Sequence, residues 1–234
     1  MTRGTLDATG ACGIMRAAVP QSDPEISMTL SRRVLLAATP ALAATAFVPR
    51  MARAAADPRL APRIIGNPDA KILVQEWFSL DCPHCAHFAL NVFPEVRSKL
   101  VETGKIRYQF NDFPLYKLSF YAAMVARALP VDRYEPFIMS LFSSQEAWAF
   151  QQQDQGGDPL APLQQRAALA GMSADQFHSV INDQTYLQAL QASEDAAQQQ
   201  YKIEGTPFFR FGNTSYPNDP ETFEHFQQIL STAS

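Results

Sequence analysis

The sequence predicts an α/β fold, and three observations carry that prediction. A strand, a long helix and a second strand follow one another between residues 71 and 110. A block of helical pattern fills residues 115–200, and the chain then returns to strand in a hairpin before a last helix. With 234 residues, of which 47% are hydrophobic, there is enough apolar side chain to bury a sizeable core.

Taken in order, Arg63-Ile64-Ile65-Gly66 reads as a short first strand after a Pro-containing lead-in from Asp57. Lys71 to Phe78 is apolar, β-branched and aromatic, bounded by Asn67-Pro68-Asp69, and reads as a buried strand. Ala86, Phe88, Ala89, Val92, Phe93, Val96 and Leu100 recur at helical spacing, with Gly104 as the stop. Lys105 to Phe110 alternates as the next strand, and a helical crossover between the two implies that they run parallel. Within the helical block, one helix carries Phe120 to Ala128 and closes at Pro130. Asp132 is expected to cap the next, with Tyr134, Phe137, Ile138, Leu141 and Phe142 inward. Gln151 to Pro162 reads as a polar loop, Leu163 to Ala170 as a short helix stopped by Gly171, Ser173 as a cap, and Gln184 to Tyr201 as a long helix. Gly205-Thr206-Pro207 breaks the pattern. Phe208 to Phe211 and Thr214 to Tyr216 form a hairpin about Gly212-Asn213, and Asp219-Pro220-Glu221 is expected to start the final helix, with Phe223, Phe226, Ile229 and Leu230 inward. The aromatic positions Phe137, Phe142, Phe208, Phe209 and Phe211 are expected in the core.

Residues 1–27 lack periodicity and are expected to be an upstream start-site artefact, with Met28 as the true initiator. From Met28 to Ala56 the pattern is a secretory signal: Ser31-Arg32-Arg33, an apolar segment from Val34 to Val48, and a small-residue cleavage site before Asp57. The paired arginines resemble a twin-arginine export signal, although Ala37 stands where that motif often has Lys. Pro40 interrupts an apolar run already short of the ~20 residues a membrane span needs, so cleavage is preferred to anchoring. Residues 1–56 hold six of the 19 basic residues and three of the 23 acids, which leaves −7 on residues 57–234. An acidic domain without a Lys/Arg run argues against nucleic acid and anionic membrane surfaces as partners. Of three cysteines, Cys12 lies in the segment expected to be absent from the mature protein, leaving one pair and no disulfide framework.

That pair, in Cys82-Pro83-His84-Cys85, sits where a strand ends and a helix begins. Unpartnered N–H groups and the dipole at a helix N-terminus favour a thiolate over a thiol. Pro83 suits the first turn because its missing N–H would have been unpaired, and the His84 imidazole is expected to stabilise an anion on Cys82 further. Cys82 is therefore expected to be the exposed nucleophile, and Cys85, a turn deeper, the partner that closes the disulfide. Stabilising the thiolate stabilises the reduced pair, so the disulfide becomes the stronger oxidant. Glu76 shares a strand face with Ile72, Val74 and Phe78, where a buried carboxylate would have a raised pKa; the competing reading is a side chain that reaches solvent at the strand end. His87, His178 and His225 are expected at the surface, and Trp77 beside the active strand end.

Gly66-Asn67-Pro68-Asp69-Ala70, Cys82-Pro83-His84-Cys85 with Phe88, and Gly205-Thr206-Pro207-Phe208-Phe209 together resemble the DsbA-like branch of the thioredoxin superfamily. The resemblance spans Arg63 to Leu230 and implies a thioredoxin fold in which roughly residues 115–200 are a helical insertion. It further implies that Pro207 is cis beside the nucleophile, that Thr206 pairs its backbone with an extended substrate, and that Glu76 relays a proton to or from Cys85. The implied clients are unfolded or reduced exported proteins. The implied reoxidant is a membrane partner of the DsbB kind, the implied location periplasmic, and no cofactor beyond the disulfide is called for. Asp81 departs from the pattern, standing where DsbA has an aromatic residue, and its charge is expected to oppose the thiolate. Thr206 occurs in isomerases too, but Asp57 to Arg63 is too short for their dimerisation domain, so a monomeric dithiol oxidase is preferred and a reductase or isomerase remains the alternative. Zinc lacks a second ligand pair and haem lacks a His at position 86. A copper(I)-handling site on Cys82 and Cys85 with His84 or His87 is the remaining rival, because thiolates select that ion.

Overall fold

Alternation along β2 (Ile72–Phe78) places Val74, Glu76 and Phe78 on one face of the strand, all buried. In the computed structural model, which describes residues 57–150 and 158–233, this strand is the centre of a five-stranded sheet. The expectations for residues 1–56, including Cys12, and for residues 151–157 of the polar loop fall outside the described residues. β1 (Arg63–Ile65), β3 (Ile106–Asp112), β4 (Phe208–Phe211) and β5 (Thr214–Tyr216) complete the sheet in the order β1-β3-β2-β4-β5. β2 and β3 run parallel from Ile72↔Ile106 to Phe78↔Asp112, as a helical crossover requires, and the other neighbours are antiparallel. Gly66, after β1, has φ +98°, and a Cβ there would lie 2.9 Å from the Ile106 carbonyl oxygen; only glycine fits this close approach.

The crossover helix is not uniform. α1 (Pro83–His87) and α2 (Phe93–Val96) are separated by a π-helical turn at Phe88–Val92, and a second such turn, Arg97–Val101, ends the run. Pro94 explains the first. It has no N–H, and its ring crowds the carbonyl one turn back, so the backbone widens ahead of it and the Phe93 N–H reaches the Phe88 carbonyl. Phe88 packs edge-on against Phe209 at 4.8 Å, and Phe93 lies 4.9 Å from Tyr108, which fixes the crossover on the Val74 face of the sheet. On the opposite face Trp77 meets Tyr201 and Phe208 in a smaller apolar cluster.

Between β3 and β4 lie α3 (Lys117–Ala128), α4 (Val131–Ser143), a π-helical turn (Glu146–Phe150), α5 (Ala161–Leu169), α6 (Ala174–Ile181) and α7 (Gln184–Tyr201). This is a thioredoxin fold with a helical insertion. Two expected caps are displaced. Pro130 occupies the N-cap of α4 and Asp132 sits inside its first turn, because the fixed φ of proline already supplies the extended entry. The last helix, α8 (Phe223–Thr232), starts later than expected: Thr222 accepts from the His225 N–H, and Asp219 is engaged elsewhere. Ser173 caps α6 in a capping box with Gln176. The insertion is tied back to the sheet by Arg127, which pairs with Asp112 at the end of β3 and donates to the Arg59 and Ala61 carbonyls of the lead-in. The five aromatic positions expected inside are buried. Among the described residues, no helix is long and apolar enough to cross a membrane.

Candidate active site

Cys82 is the N-cap of α1, with extended backbone at φ −87° and ψ 121°, and Pro83 occupies the first helical position. The loop from β2 is closed locally: the Cys82 N–H donates to the Ser79 carbonyl at 3.1 Å, and the Ala86 N–H donates to the Cys82 carbonyl at 3.1 Å. The N–H groups of His84 and Cys85 are thereby turned towards the Cys82 sulfur. Both cysteines are free thiols here. Cys82 is less open than the sequence suggests, with 7% of its surface exposed, because the Thr206–Pro207 segment lies over it. That peptide bond is cis, and the Cys82 Sγ donates to the Thr206 carbonyl at 3.3 Å. Cys85 has no exposed surface.

The two thiols differ as their surroundings do. Cys82 is lowered to about 6, first by the hydrogen bond from the Cys85 thiol and then by Thr206 and the backbone N–H groups, against the opposing effect of burial. Burial pushes Cys85 well above the ordinary thiol range. The lowering of Cys82 thus comes from the Cys85 thiol together with the helix N-terminus that the sequence also pointed to; the His84 side chain is exposed, and its backbone is what faces the sulfur. Asp81 lies just before the pair. Its buried carboxyl accepts from the Ser79 hydroxyl, and burial raises its pKa so that it holds its proton more tightly.

Glu76 is buried, at 4% exposure, and does not reach solvent at the strand end. Burial pushes it up to about 8, opposed by the Tyr108 hydroxyl, which donates to its Oε2 at 2.6 Å. Its charge adds to the rise at Cys85. His87 is 45% exposed on its side chain and lies 3.0 Å from the Asp219 carboxylate. His178 is exposed, and His225 is half-buried against the Tyr216 hydroxyl. Among the described residues no group of three or more His, Cys, Asp or Glu gathers as a candidate metal site.

Three contributors escaped the sequence reading. Gln145, just past α4, is buried and donates from its amide to the Leu80 carbonyl at 2.8 Å and the Cys82 carbonyl at 3.0 Å, fastening the loop to the insertion. Ser79 accepts from the Leu115 N–H at 3.1 Å while donating to Asp81. Tyr108 was legible as a tyrosine among apolar neighbours on an alternating strand, whose hydroxyl must find a partner inside. Nothing in the sequence around Gln145 points to the active-site loop, since the contact spans 63 residues.

A cis-proline segment over a helix-capping cysteine pair defines a thioredoxin-type redox site. The family described as thioredoxin matches residues 59–232, and the chain belongs to that family. The crystal structure of alpha-DsbA1 from Wolbachia pipientis is similar at 28% identity and a TM-score of 0.63, covering 74% of this chain and 90% of that one. A protein-disulfide isomerase from Novosphingobium aromaticivorans shares the fold at 22% identity and a TM-score of 0.64, over 73% of this chain and 96% of the other. A putative protein-disulfide oxidoreductase of Rickettsia felis is 27% identical over 171 residues, 73% of this chain and 58% of the relative. The chain thus spans a little over half the length of that relative.

Proposed function

We propose that the protein is a thiol:disulfide oxidoreductase acting as a dithiol oxidase on exported proteins in the periplasm. The observation that carries this reading is the division of the pair. Cys82 caps the helix beneath the Thr206 carbonyl with a thiol lowered to about 6, while Cys85 is sealed beneath it and raised. A client thiolate attacks the Cys82 sulfur of the oxidised pair, and the Cys82–Cys85 bond breaks. The electron pair leaves on Cys85, which takes a proton from Glu76. A second client thiolate then attacks the client sulfur of the mixed disulfide and expels Cys82 as a thiolate. The client loses two electrons and the protein pair gains them, so no other cofactor enters. Thr206 and Pro207 offer backbone to an extended client, which favours broad tolerance. Reoxidation falls to a membrane partner of the DsbB kind, and the acting form is a monomer.

The test is the reduction potential of the pair against a glutathione buffer at neutral pH. A value towards about −120 mV supports the oxidase, and one towards about −270 mV would sink it in favour of a reductase. Alongside it, Cys82→Ser is expected to abolish dithiol oxidation and Cys85→Ala to accumulate mixed disulfides with clients on a non-reducing gel. Oxidase activity retained in Cys82→Ser would refute the mechanism.

A further inference from the structure

Glu76 and Tyr108 sit on adjacent parallel strands, both sealed from solvent, with the phenol hydroxyl 2.6 Å from Glu76 Oε2. Tyr108 has little freedom to turn away. Its ring is held between Phe93 at 4.9 Å and Phe110 at 5.1 Å, and its backbone is paired opposite Val74. Its own ionisation is pushed well above the ordinary phenol range, so it remains a neutral donor. The other groups facing Glu76 are Cys82 and Cys85 from the start of α1, and Asp219 from the segment before α8, itself paired with His87. β4 contributes Phe209, opposite Glu76, which carries no charge.

We infer that Tyr108 is a positioning residue which holds the Glu76 carboxyl in one orientation and sets the pH at which it gives up its proton. The inference rests on Glu76 serving Cys85 as the proton donor proposed above. A phenol hydroxyl donates to a carboxylate more strongly than to a neutral carboxyl, so it draws the ionisation of Glu76 down against burial. Without it, Glu76 would hold its proton to still higher pH and give it up to the Cys85 sulfur less readily when the disulfide opens. When the disulfide opens, the proton passes from Glu76 to the Cys85 sulfur, leaving a carboxylate. The Tyr108 hydroxyl stabilises that carboxylate until solvent protonates it again.

The experiment is an infrared titration of the protonated-carboxyl band in the full chain, assigned to Glu76 by its loss in Glu76→Gln. In Tyr108→Phe the midpoint is expected to move up by about one pH unit, a tenfold change in proton affinity. Fluorotyrosine introduced at position 108, a stronger donor of the same shape, is expected to move it down, and this arm stands if the phenylalanine variant does not fold. A midpoint unmoved by either change overturns the role of Tyr108. The pH profile of mixed-disulfide formation separates this from the underlying reading. If Glu76→Gln leaves that profile unaltered, the proton donor is not Glu76, whatever Tyr108 does to its ionisation.

Discussion

Cys82 and Cys85 are the same side chain in one helical turn, yet their thiols shift in opposite directions, because Cys82 accepts from the Cys85 thiol and from the N–H groups of the helix start, while Cys85 is buried and donates to it. The motif and its helix position were legible in the sequence, since a strand end followed by Pro83 leaves little choice of geometry. The helix N–H groups were legible as one source of the lowering, but the larger share from the Cys85 thiol was not, because it depends on rotamers that spacing does not determine. Glu76 was legible as a buried acid from the alternation of its strand, and it yields a sharp expectation. Its folded pKa of about 8 lies above the usual 4.5, so the folded state keeps a proton that the unfolded chain releases. Wild-type stability is therefore lost as pH rises from about 4.5 to 8. Relative to their difference at pH 4, Glu76→Gln should gain on the order of 3 kcal/mol by pH 7, read from urea denaturation at several pH values. A gap between the two proteins that does not widen with pH would mean that Glu76 is ionised in the fold.

Among the elements, strand and helix identities followed from periodicity, and the errors fell at their ends. Asp132 and Asp219 both looked like helix starts, and both were displaced, the first by the backbone of Pro130 two residues earlier and the second by its pairing with the distant His87. The π-helical turns around Pro94 were likewise hidden, because an apolar stripe at helical spacing tolerates a widened turn without losing its face. Gln145 lies at the junction of α4 with the turn that follows and satisfies two carbonyls of the active-site loop. Gln145→Leu would take the amide donor from the buried Leu80 carbonyl and one of the two donors from the Cys82 carbonyl, and should cost roughly 1–3 kcal/mol of stability. Hydrogen exchange should show the loss locally, with the Cys82 and Ala86 amides accelerated more than those in the middle of α3. Uniform acceleration would mean that Gln145 supports the fold in general and has no special hold on the loop.

For the molecule as a whole, thiolate chemistry is coupled to folding. The Cys82 thiol is lowered to about 6 from the ordinary 9.0, so the thiolate stabilises the reduced fold fully above pH 9, and that contribution is lost as pH falls through 6. At pH 7, one unit above the folded value, it amounts to about 1.4 kcal/mol, which the disulfide form cannot have. The melting temperature of the reduced protein should therefore climb relative to that of the oxidised protein between pH 6 and 9. A difference that stays flat over that range would show that the thiolate is not held by the fold. The parallel pairing of β2 with β3 and the helical block were legible from the succession of elements, but the seam between them was not, since Arg127 with Asp112 and Gln145 with the loop join residues that no local pattern links. That seam constrains how such proteins can be recombined. A chimera that took residues 115–200 from a relative would need an amide at the position of Gln145 to keep the hold on the redox loop and a guanidinium at that of Arg127 to keep the join to Asp112 and the lead-in. A graft that respects only the strand and helix boundaries would leave the cysteine loop closed on itself but unfastened from the helices beside it.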